Sequence, residues 1–515
     1  MEKITVEIIM KVFAGLVMWL AIAGAQNVVV TVQGRLQGEA HDGYVSYTGI
    51  PYGTINSTED QFKSAGLAPF WLGIREPARA TCSPSSRPED CLVLDVHVPA
   101  TGASPWPVLA WVRGTSGQYH PRKLVQQGII VVVVHHRLGP SGFLCLQEES
   151  IPGNAAVKDV VAALRWVRDN IVAFRGNPSK VVVGGQGFGA AMAEAMTLPA
   201  AARGLYHGII MQSGTILAPW AFNYDAKHRA QHLARSLRSD DDEEDDDAIL
   251  LNTESTDLFQ KADSINFPYF PFGMCVEVHQ RKGERLLTEA PITSLNAKKV
   301  HSVPMLIGHN SNEGYIFAYT LKQANVLRRL ARDISFLLPT ELKFLNQREV
   351  GQVADQVKDM YFKRNVTMAS VISYHSDAYF ASYVHRSASL HAAAGSPVYL
   401  YQFSHVSSSA GVTEPGVKKT GAAHSDELVY LFGENDAYLD EEDREVQSRL
   451  LRLWSDFVKH LNPTPGNQPR WETASEHDPR LLDIGTSSEM KPAPRARNIR
   501  FWQDIYDRFY YGRHV

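Results

Sequence analysis

The sequence predicts an α/β fold: a doubly wound, mostly parallel central sheet with helices on both faces. Three observations carry that prediction. Of the 515 residues, 44% are hydrophobic and 21% charged, ordinary values for a globular protein with a large core, which excludes disordered, collagen-like and coiled-coil classes. Short β-branched runs recur between helical stretches, and the central ones are continuously apolar, as strands covered on both faces require. An amphipathic stretch separates two of these runs, and strand, helix, strand in that order implies parallel pairing through a right-handed crossover.

The elements follow in chain order. Residues 28–32, 108–112, 129–134, 181–183, 305–307 and 398–403 read as strands. Between the third and fourth, residues 154–174 place Val157, Val160, Ala163 with Leu164, Val167 and Ile171 at three- and four-residue steps, one face of a helix. No internal repeat interrupts the pattern, and residues 26–515 are expected to form a single domain. The run 239–247 contains eight acids and reads as a solvated loop, because like charges repel and bury nothing. A calcium loop would alternate ligands with turn residues at fixed positions, which this run does not do.

Net charge is -4, from 51 basic and 55 acidic residues; without the eight acids of that run, 51 bases face 47 acids. The chain therefore carries no global field that would favour nucleic acid or a membrane surface as partner. Residues 1–25 place Lys3 and Lys11 before an apolar run at 12–22 and small residues at Ala23 and Ala25, the pattern of a secretory signal peptide cleaved after Ala25. The alternative, an N-terminal membrane anchor, is disfavoured by a run too short to span about 30 Å comfortably. No other stretch approaches a membrane span, so a secreted, extracellular product without a membrane anchor is expected. Two sequons, at Asn56 and Asn365, are expected glycosylation sites in that compartment. Cys82 and Cys91 flank a turn-forming run and are expected to form a disulfide. Cys145 and Cys275 sit in apolar settings and are expected to be buried free thiols.

Residues 181–191, VVVGGQGFGAA, read as a strand entering a tight glycine turn that leads into a small-residue helix. The nucleophile elbow of an α/β-hydrolase has G-x-S-x-G at such a place, with the serine projected above the sheet. Here the middle position is Gly187. It has no atom that can attack a carbonyl.

Outward from the elbow, the chain resembles the type B carboxylesterase and cholinesterase family. The resemblance rests on YTGIPYG (47–53), PEDCLVLDVHVP (88–99), HHRLGPSGFL (135–144), the block 153–178, IIMQSG (209–214), VPMLIGHNSNEG (303–314), GAAHSDELVYLFG (421–433) and RFW with a following tyrosine (500–506), in the family's order. It implies the α/β-hydrolase fold. It also implies that Glu313, in SNEG, matches the triad acid and that His424, in AHSDEL, matches the general base; such an acid orients the imidazole that takes the nucleophile's proton. With Gly187 opposite, the favoured reading is that these triad remnants persist as a buried hydrogen-bonded pair.

Three departures accompany the missing serine. The family's oxyanion loop reads roughly W-x-H-G-G-G, whereas Trp111 is followed here by Val112, Arg113, Gly114, Thr115, Ser116 and Gly117. Cβ atoms at Thr115 and Ser116 enter a turn where glycine's freedom was available, and one misplaced donor costs about 2.7–4 kcal/mol of transition-state stabilisation. The Cys82–Cys91 loop is short and lacks the tryptophan with which cholinesterases hold a quaternary ammonium. Gln186 resembles the G-Q-S-A-G form of the juvenile hormone esterase branch, a single residue that assigns no ligand. The expected protein is an inactive member of the family that binds a small apolar ligand or a protein partner, with no cofactor and no metal. The alternative is an active ester hydrolase using water activated by His424, or a non-standard nucleophile such as Ser116.

Overall fold

The computed structural model describes residues 27–510 apart from 115–118, 239–243, 265–270, 279–283, 318–325, 331, 364, 409–418, 435, 467–469 and 476–479. The expected signal peptide at 1–25 and five residues of the acidic run therefore lie outside the described residues.

Eleven strands form one sheet: β1 (Glu39–His41), β2 (Tyr44–Pro51), β3 (Val93–Pro99), β4 (Trp106–Val112), β5 (Ile130–Val134), β6 (Gly176–Gln186), β7 (Gly208–Gln212), β8 (Met305–Asn310), β9 (Val398–Phe403), β10 (Leu481–Ile484) and β11 (Ser488–Lys491). Their order across the sheet is β11-β10-β9-β8-β7-β6-β4-β5-β3-β2-β1. From β10 to β5 the neighbours are parallel, and antiparallel strands border them on both sides. The fold is the doubly wound α/β sheet that the continuous apolar runs predict.

Alternation along β4 explains why its residues read as one uninterrupted apolar string. Val108, Ala110 and Val112 face one core, and Leu109 and Trp111 face the other. The helix α1 (Ala155–Asn170) covers the first face with Val157, Val160, Leu164 and Val167. A later helix, Glu441–His460, covers the second with Leu450, Leu453, Trp454 and Phe457. Each of these large side chains is buried, worth about 1.5–3 kcal/mol apiece when removed from water. Asp159 of α1 also pins the chain after β5: Arg137, fully buried, donates to its carboxylate through the backbone N–H and the guanidinium, and to the carbonyls of Gln61 and Lys63.

Two expectations are corrected. The strand at 28–32 forms over Val28–Val30 but belongs to a separate three-stranded sheet, because its partners are Arg35–Gln37 and, beyond them, Ile74–Arg75. Cys145 and Cys275 are not free thiols: they form a disulfide with a Cα separation of 6.8 Å, alongside the expected Cys82–Cys91 bridge at 4.7 Å. Their apolar surroundings are real, both being 1% exposed, but the two settings are the same place. Asn154, just before α1, brings them together by donating to the Cys275 carbonyl and accepting its N–H. Asn56 and Asn365, the two sequon asparagines, are exposed.

Candidate active site

β6 ends at Gln186, and the helix α2 (Phe188–Ala195) begins two residues later. Gly187 joins them with φ +57° and ψ −119°, a left-handed bend that side chains rarely adopt. The turn is tight enough to demand glycine on either side. A Cβ at Gly185 would lie 2.3 Å from the Gly189 carbonyl carbon, and one at Gly189 would lie 2.3 Å from the Val112 carbonyl oxygen. The strained geometry of an elbow is thus fully built around a residue that has no side chain to project.

The residues expected as triad remnants meet above this turn. Glu313 opens a short helical turn after β8, and His424 lies on the loop before the helix Leu428–Phe432. His424 Nδ1 is 2.6 Å from Glu313 Oε2, and Glu313 Oε1 accepts the Asn310 N–H at 2.6 Å. The other ring nitrogen, Nε2, points at the elbow: a Cβ on Gly187 would stand 3.1 Å from it. Burial alone would depress the basicity of His424, but the charge and hydrogen bond of Glu313, with Glu427 and Asp426 adding, outweigh it and raise the pKa above the ordinary histidine value.

The space in front of Nε2 has another occupant. The side-chain amide of Gln186 reaches to 3.0 Å from His424 Nε2. With Nδ1–H donating to Glu313, Nε2 accepts the Gln186 N–H, the bond a serine hydroxyl would otherwise make. Sequence reasoning noted Gln186 only as a motif variant; its contact with a residue 238 positions away became visible only in three dimensions.

Behind the dyad lies a second carboxylate, Glu427, also unanticipated although it follows His424 by three positions. It is fully buried and accepts from Gln212 at 2.9 Å and Asn310 at 2.5 Å. Burial, and then the neighbouring Glu313 charge, push its pKa up to about 7.

Gly114 ends the strand side of the expected oxyanion loop, and a Cβ there would lie 3.3 Å from the Gln186 carbonyl. Thr115 and Ser116 lie outside the described residues. The Arg113 side chain is engaged by His135: its Nη1 is 2.8 Å from His135 Nδ1, and His135 Nε2 is 3.0 Å from Asp95. Beside the elbow is a cavity of about 300 Å³, lined by Gly114, Leu138, Phe143, Phe188, Phe259 and Phe272 among others. Aromatic rings lie between this cavity and the histidine: Phe188 is followed by Trp220 at 6.4 Å, Phe380 at 5.6 Å and His424 at 4.9 Å. Among the described residues no group of three or more His, Cys, Asp or Glu is placed to hold a metal ion.

Comparison with known proteins agrees with this architecture. A solved juvenile hormone esterase from Manduca sexta, with OTFP covalently attached, superposes with a TM-score of 0.83 at 25% identity, over 93% of this chain and 99% of that one. In sequence, the pyrethroid hydrolase Ces2e of Rattus norvegicus is 30% identical over 449 residues, 82% of this chain and 75% of that protein. Carboxylesterase 3 of Homo sapiens is 27% identical over 544 aligned positions, 93% and 91% of the two chains. The carboxylesterase family model matches residues 25–502, nearly the whole chain. The α/β-hydrolase sheet, the elbow at the end of β6 and that match together establish that the chain belongs to the carboxylesterase family.

Proposed function

We propose that this protein is a secreted member of the family without esterase activity, acting as a binding scaffold for a small apolar ligand or a protein partner. The observation that carries the reading is Gly187 at the apex of an intact elbow. Acyl transfer on this fold needs a side-chain nucleophile there, and an imidazole–carboxylate pair has nothing to activate without it. The Gln186 amide on His424 Nε2 supports the same reading, since it engages the lone pair that general-base catalysis would use. Secretion is supported by the signal-like leader, two disulfides and two exposed sequon asparagines. The apolar lining of the cavity beside Phe188 suits a small hydrophobic ligand.

A second reading rests on the dyad itself. His424 and Glu313 keep the spacing of a working base, and glycine leaves room in front of Nε2 for a water molecule once Gln186 swings away. In that case water gives its proton to Nε2 while its oxygen attacks the ester carbonyl, and the imidazolium returns the proton to the leaving alcohol.

One experiment separates them. The purified secreted protein is assayed with short-chain p-nitrophenyl esters and with a fluorophosphonate probe. The expected result is no turnover above the buffer rate and no covalent label. Turnover that disappears in His424→Ala would establish the water mechanism, and a label on the chain would reveal a nucleophile elsewhere.

A further inference from the structure

Twelve large apolar side chains stand exposed among the described residues, and six of them belong to one corner of the molecule: Val30, Val32, Leu67, Phe70, Leu72 and Ile74. Leu67, Phe70 and Leu72 are 91%, 76% and 101% exposed, values near those of a side chain with no neighbours. Gly73 turns the chain at the tip with φ +78°, and a Cβ there would meet no atom within 4 Å. The tip is nevertheless anchored from beneath. Trp71 donates its backbone N–H to the Gln33 carbonyl at 3.1 Å and its indole N–H to the Arg35 carbonyl at 2.8 Å. The three-stranded sheet of 28–30, 35–37 and 74–75 carries it. The result is an apolar tip held in place by the sheet beneath it, and clustered exposed apolar side chains of this kind mark a site of association.

We propose that this projection is a peripheral lipid-docking site that inserts residues 67–74 into the headgroup region of an anionic bilayer. The composition fits that occupant. Residues 65–74 contain no charged side chain and supply Phe, Trp, Leu and Ile, the residue types that settle at the boundary of headgroups and acyl chains. Arg75 and Arg79 follow the stretch and Arg35 lies on the neighbouring strand, three cations against one acid, Glu76, while Lys63 on the other side is paired with Asp60 at 3.5 Å. Arg75 already lies along the apolar surface, its guanidinium 5.7 Å from the centre of the Trp71 ring, so its stem can stay with the apolar face while its head meets phosphate. The degree of exposure, 91% at Leu67 and 101% at Leu72, separates a bilayer from a protein partner. Knobs this exposed would each require a matching pocket in a protein, whereas a fluid interface closes around them. The near-neutral balance of the whole chain does not bear on this, because the site is local and apolar first.

The test is flotation of the purified full secreted chain with vesicles of phosphatidylcholine alone and of phosphatidylcholine with 30% phosphatidylserine, compared with Phe70→Glu/Leu72→Glu. Both changed residues are at the exposed tip, and unchanged circular dichroism and thermal unfolding confirm that the fold survives. Wild type is expected to float with the anionic vesicles, more weakly with the neutral ones, and the double variant to lose about tenfold or more of the bound fraction. Absence of flotation with either vesicle, or equal flotation of the variant, overturns the proposal. So does a concentration-dependent dimer that the double variant lacks, which would assign the tip to a second copy of the chain.

Discussion

The two halves of the candidate site have fared differently. On the acid–base half, His424, Glu313, Asn310, Glu427, Gln212 and Trp454 form one continuous hydrogen-bonded chain at 2.5–2.9 Å, with Glu313 and Glu427 fully buried. On the nucleophile half, the apex is glycine, and the residue after the strand leading to the oxyanion loop is Arg113 rather than the family's histidine. The difference shows which side chains are held by stability and which by chemistry alone. A buried carboxylate that loses its partner costs several kcal/mol, so the first half cannot change one member at a time. Beyond its chain neighbours, a Cβ at the elbow would meet only His424 within 4 Å, and glycine there also avoids a strained φ.

The sharpest way to break this comparison is to remove a member of the connected half. Glu313→Ala strands His424 and the Asn310 N–H, and should destabilise the protein by about 3–5 kcal/mol in denaturant unfolding. A loss below 1 kcal/mol would mean that the dyad is not held by the fold and that chemistry must be keeping it.

Next comes the buried carboxylate behind the dyad. Because Glu427 has a folded pKa of about 7 against an ordinary 4.5, its contribution to stability is fully present below about pH 4.5 and is lost as pH rises to about 7. The window is worth about 3 kcal/mol. Glu427→Gln should flatten the fall in unfolding free energy across that interval and, because the Glu427 charge also helps to raise the His424 pKa, should weaken the loss that His424 contributes above its ordinary value. An unaltered profile would remove Glu427 as the titrating group.

The smallest effect is expected on the disconnected half. Gly187→Ser places a Cβ 3.1 Å from His424 Nε2 in a left-handed bend, and should cost about 1–3 kcal/mol in stability. Esterase activity should stay near zero, since Gln186 still engages Nε2 and Thr115 and Ser116 still stand where the family's oxyanion loop has glycines. Adding Thr115→Gly and Ser116→Gly should raise the rate by about a hundred- to a thousandfold. Strong activity in Gly187→Ser alone would show that the loop is sound and that a single residue silenced the site.

Much of this was legible in the chain itself, for identifiable reasons. The strand at 181–183, the crossover helix and the positions of Gly187, Glu313 and His424 are encoded in local pattern and short motifs, so they could be placed before any coordinates. The antiparallel border strands Tyr44–Pro51 and Val93–Pro99 were not marked as strands, because polar residues such as Ser46 and Asp95 interrupt their apolar character. Asp95 is there to accept the Gly49 N–H at 2.7 Å and to pair with His135. Cys145 and Cys275, the Gln186 contact and the role of Glu427 were illegible for one reason: each depends on distant segments meeting, and an apolar setting around a cysteine reads alike whether the neighbour is a methyl group or a second sulfur.

The Cys145–Cys275 bridge has a topological meaning beyond its local contacts. It closes a covalent ring of 130 sequence positions that contains α1, β6, the elbow, α2 and β7, and by sequence the acidic run 239–247 as well. A protease that cuts the chain within that run opens the ring without releasing a fragment. While the bridge stays oxidised the two pieces remain one molecule, with the elbow on one side of the cut and the dyad on the other.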